Sequence, residues 1–305
     1  MEKEKKDMKY KGVIVPMVTP VNKNFSIDKD AVKKIIESFI TAGVSPFILG
    51  TTGESASVSE DQIKTFVSLV VENAKKHTPV YAGISSNCFQ TTINNAKMCA
   101  DMGVDAVVAH PPNYFPLNSS DMLKYFEELV ERINCPLILY NNPMTTYHSL
   151  PLEIVDKLSY HSNIVGLKDS ERGIERLDRS IELWGKRKDF VHLVGWAAQS
   201  SYALQKGSDG IVPSIGNIVP ELYKQLYDSV LKGEYSRAEE LQVKTDRISE
   251  ICYGGKNLSQ SIASLKTAMS IYNICQPYTL PPIYNLDDKE ETRVIQLIKQ
   301  ELNDY

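Results

Sequence analysis

A lysine and a tyrosine close two short apolar runs that follow one another in the chain. Lys168 ends the run that starts at Ile164, and Tyr140 ends the run that starts at Leu137. An amine held in a poorly hydrated pocket has a lowered pKa, and the neutral amine is the nucleophile that Schiff-base chemistry requires. A phenol beside it can move protons during that chemistry. The structural alternatives are a lysine that reaches solvent from the strand end and a tyrosine that belongs to the core.

A short polar loop follows another apolar run and consists of Gly50, Thr51, Thr52, Gly53 and Glu54. Its two glycines let successive backbone N–H groups converge on an anion, and its two threonine hydroxyls add further donors. A substrate carboxylate would fit such a cradle. The alternative interpretation is an ordinary connection between a strand and a helix.

Eight short apolar runs, typical of buried strands, alternate with amphipathic helical runs up to about Lys232. They are Gly12 to Val18, Pro46 to Leu49, Val80 to Ile84, Ala106 to Ala109, Leu137 to Tyr140, Ile164 to Lys168, Val191 to Gly195 and Gly210 to Val212. This alternation indicates a parallel sheet covered by helices, and eight units favour a closed (β/α)8 TIM barrel. An open doubly wound sheet is the alternative, but its glycine fingerprint is absent after the first run. The active groups of a barrel lie at the carboxyl ends of its strands, where Lys168, Tyr140 and the polar loop all fall.

The alternation stops after Lys232, and three helical runs follow it. They are Glu234 to Cys252, Ser259 to Ile274 and Asp287 to Leu302. We therefore predict an α/β chain with a TIM barrel catalytic domain over residues 1–232 and a C-terminal helical extension over residues 233–305. Among the barrel helices, Ser59 with Gln62 predicts a capping box, and Gly43 predicts a helix end.

The composition of the chain argues against several classes of partner. A net charge of -4 over 305 residues gives no reason to expect nucleic acid or an anionic membrane. No apolar stretch approaches the length of a membrane span, and the segment from Met1 to Lys11 lacks the apolar part of a signal peptide. The five scattered cysteines form no CxxC pattern, which fits free thiols in a reducing compartment. We expect a cytoplasmic protein that binds neither nucleic acid nor a membrane.

The histidines show no spacing that would hold a metal, because no HExxH motif occurs. His110 lies at a strand end, where it either contacts substrate or serves as a structural histidine. A Schiff-base mechanism uses the iminium as its electron sink, so we expect no metal and no organic cofactor.

Four motifs occur in order along the chain. They are GVIVPMVTP from Gly12, GTTGES from Gly50, LYNNP from Leu139 and GLKDS from Gly166. Together they resemble the dihydrodipicolinate synthase and N-acetylneuraminate lyase family of class I pyruvate aldolases, over the whole barrel. The resemblance implies a Schiff-base enzyme that acts on a small 2-oxo acid carrying a pyruvate moiety. It also implies a homotetramer built from dimers.

The resemblance assigns the central roles residue by residue. Lys168 matches the lysine that forms the Schiff base, and Tyr140 matches the tyrosine that acts as general acid and base. Thr51 and Thr52 match the residues that hold the pyruvate carboxylate and relay protons to that tyrosine.

Three further residues correspond to secondary positions of the family's site. Tyr114 matches the tyrosine that completes the proton relay across a dimer interface. Val212 matches the position whose backbone carbonyl lies near bound pyruvate, and Ser170 resembles the Ser or Thr that sugar-acid aldolases place near substrate hydroxyls.

Two departures from the family bear on the substrate. Synthases have an arginine two residues after the proline of the tyrosine motif, where it holds the carboxylate of aspartate semialdehyde, and here that position is Thr145. Sialic acid lyases carry an Asp-Glu pair after the seventh strand, and here Trp196 to Ala198 offers no carboxylate. Arg172 is a candidate for the missing positive charge.

We therefore predict a pyruvate-dependent Schiff-base aldolase or lyase for a 4-hydroxy-2-oxo acid of the 2-keto-3-deoxy sugar acid type. The alternatives within this chemistry are a 4-hydroxy-tetrahydrodipicolinate synthase and a keto-deoxy sugar acid dehydratase. A non-catalytic sensor of 2-oxo acids is the alternative from a different class.

Overall fold

The computed structural model describes residues 9–74 and 77–303 and contains a closed barrel of eight parallel strands. The strands are β1 Gly12–Pro16, β2 Ser45–Ile48, β3 Tyr81–Gly83, β4 Ala106–Ala109, β5 Leu137–Asn141, β6 Ile164–Asp169, β7 Val191–Val194 and β8 Gly210–Ile211. They lie around the barrel in chain order, and β8 closes it by pairing with β1, where Gly12 faces Gly210. The predicted TIM-barrel fold is confirmed.

Helices connect the strands and continue beyond the last one. Those before residue 232 are α1 Lys29–Ala42, α2 Glu60–Ala74, α3 Phe89–Asp101, α4 Ser119–Arg132, α5 Pro143–Thr146, α6 Leu152–Leu158, α7 Ile174–Trp184, α8 Ser200–Lys206 and α9 Pro220–Leu231. The C-terminal helices are α10 Tyr235–Tyr253, α11 Leu258–Ile271 and α12 Asp288–Asn303. The three helices predicted after Lys232 are therefore present, with slightly different ends.

The predicted helix signals are confirmed at Gly43 and only in part at Ser59. Gly43 ends α1 in the left-handed conformation, at φ 72, which a residue without a Cβ adopts without strain. The side chain of Gln62 accepts a hydrogen bond from the Ser59 N–H at 3.2 Å, as a capping box requires. However, the Ser59 hydroxyl bonds to the same Gln62 oxygen at 3.0 Å instead of reaching the backbone, so the box is half formed.

The strand ends differ from the predicted runs in a way that matters for the site. Several predicted runs continue past the last paired residue, because the apolar pattern extends into the buried start of the following loop. In contrast, β5 and β6 each continue one position further than predicted, and Asn141 pairs with Asp169 at their ends. This extra pair lies directly beyond Tyr140 and Lys168.

Contacts between Cα atoms divide the described residues into two compact units. One contains residues 9–14 and 79–212, and the other contains residues 15–74, 77–78 and 213–303. The division between a barrel domain and a helical extension at residue 232 stays a prediction. Residues 1–8 of the predicted barrel domain and residues 304–305 of the predicted extension lie outside the described residues. Most of the segment from Met1 to Lys11, which we expected not to be a signal peptide, therefore lies outside them as well.

Two other expectations concern the cysteines and the membrane. All five cysteines are free thiols, and all except Cys88 are buried. Within the part of the chain that the structure describes, no helix combines the length and the apolar character needed to cross a membrane.

Candidate functional site

The ends of β5 and β6 bring Lys168 and Tyr140 together. The two residues are partners in the parallel register, and both are buried, with 6% and 4% of their surface exposed. The Nζ atom of Lys168 lies 4.0 Å from the centroid of the Tyr140 ring. The lysine therefore does not reach solvent, and the amine and the phenol are direct neighbours.

The surroundings of Lys168 favour its neutral form. Burial lowers the pKa of Lys168, while the charge and the hydrogen bond of Tyr140 oppose that shift. Gly166 allows the strand to lie this close to β7, because a Cβ at this position would meet Cγ2 of Val191 at 2.4 Å. The chemistry available to a buried neutral amine is nucleophilic attack on a carbonyl carbon.

The side chains of Asn142 and His110 also contact Tyr140. The Nδ2 atom of Asn142 donates to the Tyr140 hydroxyl at 3.0 Å, and the ring of His110 meets the Tyr140 ring edge-on at 6.1 Å between centroids. The Nδ1 atom of His110 lies 2.7 Å from the carbonyl oxygen of Pro111. A carbonyl only accepts, so Nδ1 carries the proton and Nε2 of the neutral ring is an acceptor. Burial lowers the pKa of His110, and the charge of Lys168 adds to the effect.

Sequence reasoning considered His110 but missed Asn142. The available signal was its position two residues after a candidate catalytic tyrosine, in a motif that was already noted for Tyr140. That signal is weak, because Asn142 lies just beyond the strand, where alternation no longer predicts the direction of a side chain.

A buried hydrogen-bond network holds the ends of β5 and β6. The amide of Asn141 donates to Asp169 and to Glu171, each at 2.8 Å, and Nε of Arg176 donates to Asp169 at 2.8 Å. Burial raises the pKa of Asp169, whereas Arg176 and Asn141 lower it. Arg176 also bonds to the Leu150 carbonyl, so its guanidinium is engaged within the protein. The network holds the backbone of β5 and β6 directly after Tyr140 and Lys168.

The polar loop after β2 is tightly turned around Gly53. A Cβ on Gly53 would lie 3.0 Å from the carbonyl oxygen of Met17, so any larger residue would press against the backbone here. The N–H groups of Gly53 and Glu54 donate to carbonyls of the loop itself, so they are not part of the anion cradle that we predicted. Thr52 is buried, with its hydroxyl 3.1 Å from the hydroxyl of Ser214. The threonine hydroxyls stay candidates for holding a carboxylate.

Glu54 closes the loop and points into the protein interior. Its backbone adopts the left-handed conformation at φ 55, and its Oε2 accepts a hydrogen bond from the Leu280 N–H at 2.6 Å. Its Oε1 contacts the ammonium of Lys266 in α11. Sequence reasoning treated Glu54 only as part of the loop and did not identify Lys266.

Ser170 directly follows the end of β6, and Val212 directly follows the end of β8. The Ser170 N–H donates to the Asn141 carbonyl at 2.9 Å, and a Cβ on Gly195 would lie 2.1 Å from the Ser170 hydroxyl. Val212 is buried, and its N–H donates to the Val194 carbonyl at 2.8 Å.

Tyr114 and Arg172, in contrast, lie at the surface of the chain. The side chain of Tyr114 is 78% exposed and packs edge-on against Phe115, so it is not brought to the buried pair of Lys168 and Tyr140. Arg172 is exposed as well. Within the described residues, no group of three or more His, Cys, Asp and Glu side chains is arranged to hold a metal ion.

Known proteins resemble this chain over almost its whole length. A sequence model of the dihydrodipicolinate synthetase family matches residues 9–301. The 4-hydroxy-tetrahydrodipicolinate synthase of Bartonella bacilliformis is 30% identical over 280 residues, which cover 91% of this chain and 93% of that protein. An uncharacterised DapA-like lyase of Thermococcus onnurineus is 31% identical over 296 residues, with coverage of 96% and 99%. The dihydrodipicolinate synthase structure from Bacteroides thetaiotaomicron is 29% identical, with a TM-score of 0.91 and coverage of 96% and 99%.

Proposed function

The chain belongs to the dihydrodipicolinate synthetase family, and from this premise we propose that it is an aldolase or lyase that forms a Schiff base between Lys168 and a 2-oxo acid. The substrate is a 4-hydroxy-2-oxo acid of the 2-keto-3-deoxy sugar acid type. The observation that carries the proposal is the buried amine of Lys168, whose pKa is lowered, beside the phenol of Tyr140. A membership in this family alone leaves the substrate open.

The reaction begins at the amine of Lys168. Its lone pair attacks the keto carbon to give a carbinolamine, and the hydroxyl leaves as water with a proton taken from solvent, to give a cationic iminium. The phenol of Tyr140 releases its proton to solvent beside this cation, and the phenolate accepts the proton of the 4-hydroxyl while the C3–C4 bond breaks and its electron pair moves into the iminium to form an enamine. An aldehyde leaves, the Tyr140 phenol gives its proton to C3 of the enamine, and water hydrolyses the resulting iminium to pyruvate, the free amine and a proton that restores the phenol.

Other residues take the roles that the family resemblance implies. Thr51 and Thr52 hold the substrate carboxylate, the backbone of Val212 lies near the pyruvate moiety, and Ser170 contacts a substrate hydroxyl. Tyr114 acts across a dimer interface of a homotetramer, and its exposure on the single chain supports this role. The mass of the native assembly, measured by light scattering, tests the tetramer directly.

The sugar-acid type of substrate is favoured over aspartate semialdehyde by the position of Thr145. Thr145 has a neutral side chain whose hydroxyl donates to the Asn142 carbonyl at 3.3 Å. The nearby Arg176 is engaged by Asp169, and Arg172 is exposed. A 4-hydroxy-tetrahydrodipicolinate synthase is the second candidate, because two relatives with that name are 30% and 27% identical to this chain. A dehydratase that uses the same lysine is a further alternative.

Borohydride trapping tests the central claim. The protein is incubated with pyruvate and sodium borohydride, and the modified peptide is identified by mass spectrometry. We expect the reduced adduct on Lys168 and none in a Lys168→Arg variant. An intact wild-type protein that gives no adduct on Lys168 would refute the proposal.

A panel of aldehydes offered with pyruvate then identifies the substrate by product mass. We expect products from polyhydroxy aldehydes and little from aspartate semialdehyde. Stabilisation by pyruvate without turnover of any hydroxy-keto acid would favour the sensor over the enzyme.

A further inference from the structure

The phenol oxygen of Tyr140 accepts a hydrogen bond from Asn142, a residue that has no assigned role. Asn142 donates to this oxygen through Nδ2 at 3.0 Å, and Lys168 forms a hydrogen bond with Tyr140 as well. We propose that Asn142 is a positioning residue that keeps the Tyr140 oxygen ready to carry negative charge while Lys168 is bonded to the substrate. This inference rests on the proposed function, because it assumes that Tyr140 transfers protons in a Schiff-base reaction.

Asn142 becomes the more important of these two donors as the reaction advances. A donated hydrogen bond stabilises the charged form of an acid, so each N–H directed at the phenol oxygen favours the phenolate. Once Lys168 forms an iminium, its nitrogen is bonded to the substrate carbon and keeps one N–H in place of the two of the neutral amine. The amide of Asn142 takes no part in bond formation and keeps its donor throughout.

His110 cannot replace Asn142 in this role. Its Nδ1 proton is directed at the Pro111 carbonyl, at 2.7 Å. Its pKa is lowered, so the ring stays neutral and Nε2 carries no proton to donate. Asn142 therefore has a donor for the phenolate that His110 lacks.

Hydrogen bonds hold the backbone that carries the Asn142 amide. The Asn142 carbonyl accepts hydrogen bonds from the N–H groups of Thr145 and Thr146, at 3.0 and 3.1 Å, and from the Thr146 hydroxyl at 3.1 Å. These bonds form the first turn of α5, and the Asn142 side chain is buried. The amide donor is already directed at the Tyr140 oxygen before the phenolate forms, which is the condition for effective electrostatic stabilisation.

The step that depends on this arrangement can be observed with pyruvate alone. After the iminium forms, the Tyr140 phenol loses its proton to solvent beside the cationic nitrogen. The phenolate then accepts a proton from C3, the C–H electron pair forms the C2–C3 double bond, and the iminium nitrogen becomes the neutral nitrogen of an enamine. The resulting phenol exchanges its proton with solvent and returns it to C3. In D2O the methyl group of pyruvate therefore gains deuterium, whichever aldehyde is the natural substrate.

Two variants and one control test the proposal in the full-length protein. Asn142→Leu removes the donor, and Asn142→Asp replaces it with an acceptor of the same size. At a pH at which the Lys168 amine is neutral in each protein, we expect both to form the borohydride-trapped adduct on Lys168 at the wild-type rate but to exchange the pyruvate C3 protons about a hundredfold more slowly. We also expect the exchange rate to begin falling at a higher pH than in the wild type as the solution is acidified, because the phenolate has lost its donor. The control is Asn95→Leu, which removes a partly buried amide whose Nδ2 donates to the Ile84 carbonyl. We expect this variant to change neither rate.

The outcomes separate this inference from the proposed function. An unchanged exchange rate and pH profile in Asn142→Leu, or an equal loss of trapping and exchange, would overturn the role of Asn142 while Lys168 kept its own. A wild-type protein that forms no adduct would overturn both. If Asn142→Leu does not fold, the isosteric Asn142→Asp is judged by the same criteria.

Discussion

The carboxylate of Glu54 and the ammonium of Lys266 form an ion pair in which both side chains are fully buried. Glu54 ends the loop that carries Thr51 and Thr52, and Lys266 lies in α11 of the C-terminal part of the chain. The pair has further partners, because the Leu280 N–H donates to Glu54 and Lys266 donates to the Tyr278 carbonyl at 2.8 Å. Helix α11 and the segment that follows it therefore help to hold the candidate carboxylate-binding loop in place.

Breaking this pair should destabilise the protein far more than breaking an exposed pair. Lys266→Met leaves the Glu54 carboxylate buried without its counter-charge, and we expect a loss of about 3–5 kcal/mol in the free energy of unfolding. The double variant Glu54→Gln with Lys266→Met removes both charges, so its loss should be well below the sum of the single losses. Urea unfolding followed by circular dichroism measures all three values.

The exposed pair of Lys64 and Glu60 in α2, at 3.1 Å, is the matched control for that experiment. We expect Lys64→Met to cost less than about 1 kcal/mol, because exposed ion pairs are screened by solvent. If Lys266→Met costs no more than Lys64→Met, the buried pair does not have the energetic role that its geometry indicates.

The rate of Schiff-base formation should depend on pH in a way set by Lys168. Only the neutral amine attacks a carbonyl, and burial lowers the pKa of Lys168, so the rate should rise with pH and reach half its maximum well below 10.5. The hydrogen bond of Tyr140 raises the same pKa, so Tyr140→Phe should move the midpoint to still lower pH. Rates of adduct formation with pyruvate, measured by mass spectrometry after borohydride quenching, give both midpoints. A midpoint near 10.5, or a shift to higher pH in Tyr140→Phe, would contradict this account.

The sequence was sufficient to predict the barrel and the proximity of Tyr140 and Lys168, but not the residues that support these two side chains. Tyr140 and Lys168 each end an apolar run, and successive strands of a βα barrel are neighbours, so their proximity follows from local patterns. Glu54 and Lys266 are far apart in the chain, and only tertiary packing together with the left-handed backbone of Glu54 brings them into contact. Asn142 lies where the strand has ended, at φ -149 and ψ 79, so no periodic pattern predicts its direction.

A buried neutral histidine should make the protein less stable in mild acid. The two ring nitrogens of His192 form hydrogen bonds with the hydroxyls of Ser180 and Ser208. Burial lowers the pKa of His192 to about 3. Between pH 6.5 and 3 the unfolded chain binds a proton that the folded protein does not bind, so stability is lost as the pH falls below 6.5. From pH 7 to pH 5 this group should remove about 2 kcal/mol from the free energy of unfolding.

Replacing His192 should remove this part of the pH dependence. The difference in unfolding free energy between pH 7 and pH 5, measured with urea, should be about 2 kcal/mol smaller in His192→Asn than in the wild type. His161→Asn, at an exposed position, should leave the difference unchanged. An equal difference in His192→Asn and the wild type would show that His192 is not the titrating group.

The preference for the aldehyde should change when a cation is introduced at Thr145. The proposed function assigns a polyhydroxy aldehyde to the wild type, because the Thr145 side chain is neutral and the guanidinium of Arg176 is engaged by Asp169. An arginine offers two parallel N–H donors that match a carboxylate, so Thr145→Arg should favour an aldehyde that carries a carboxylate. We expect the ratio of kcat/KM for aspartate semialdehyde to that for a polyhydroxy aldehyde to rise about tenfold, measured with pyruvate as the common partner.

Thr145→Gln adds a long neutral side chain at the same place and should leave the ratio near its wild-type value. If Thr145→Arg and Thr145→Gln alter the ratio equally, the side chain at this position acts by its size, and its neutrality is not what selects the substrate.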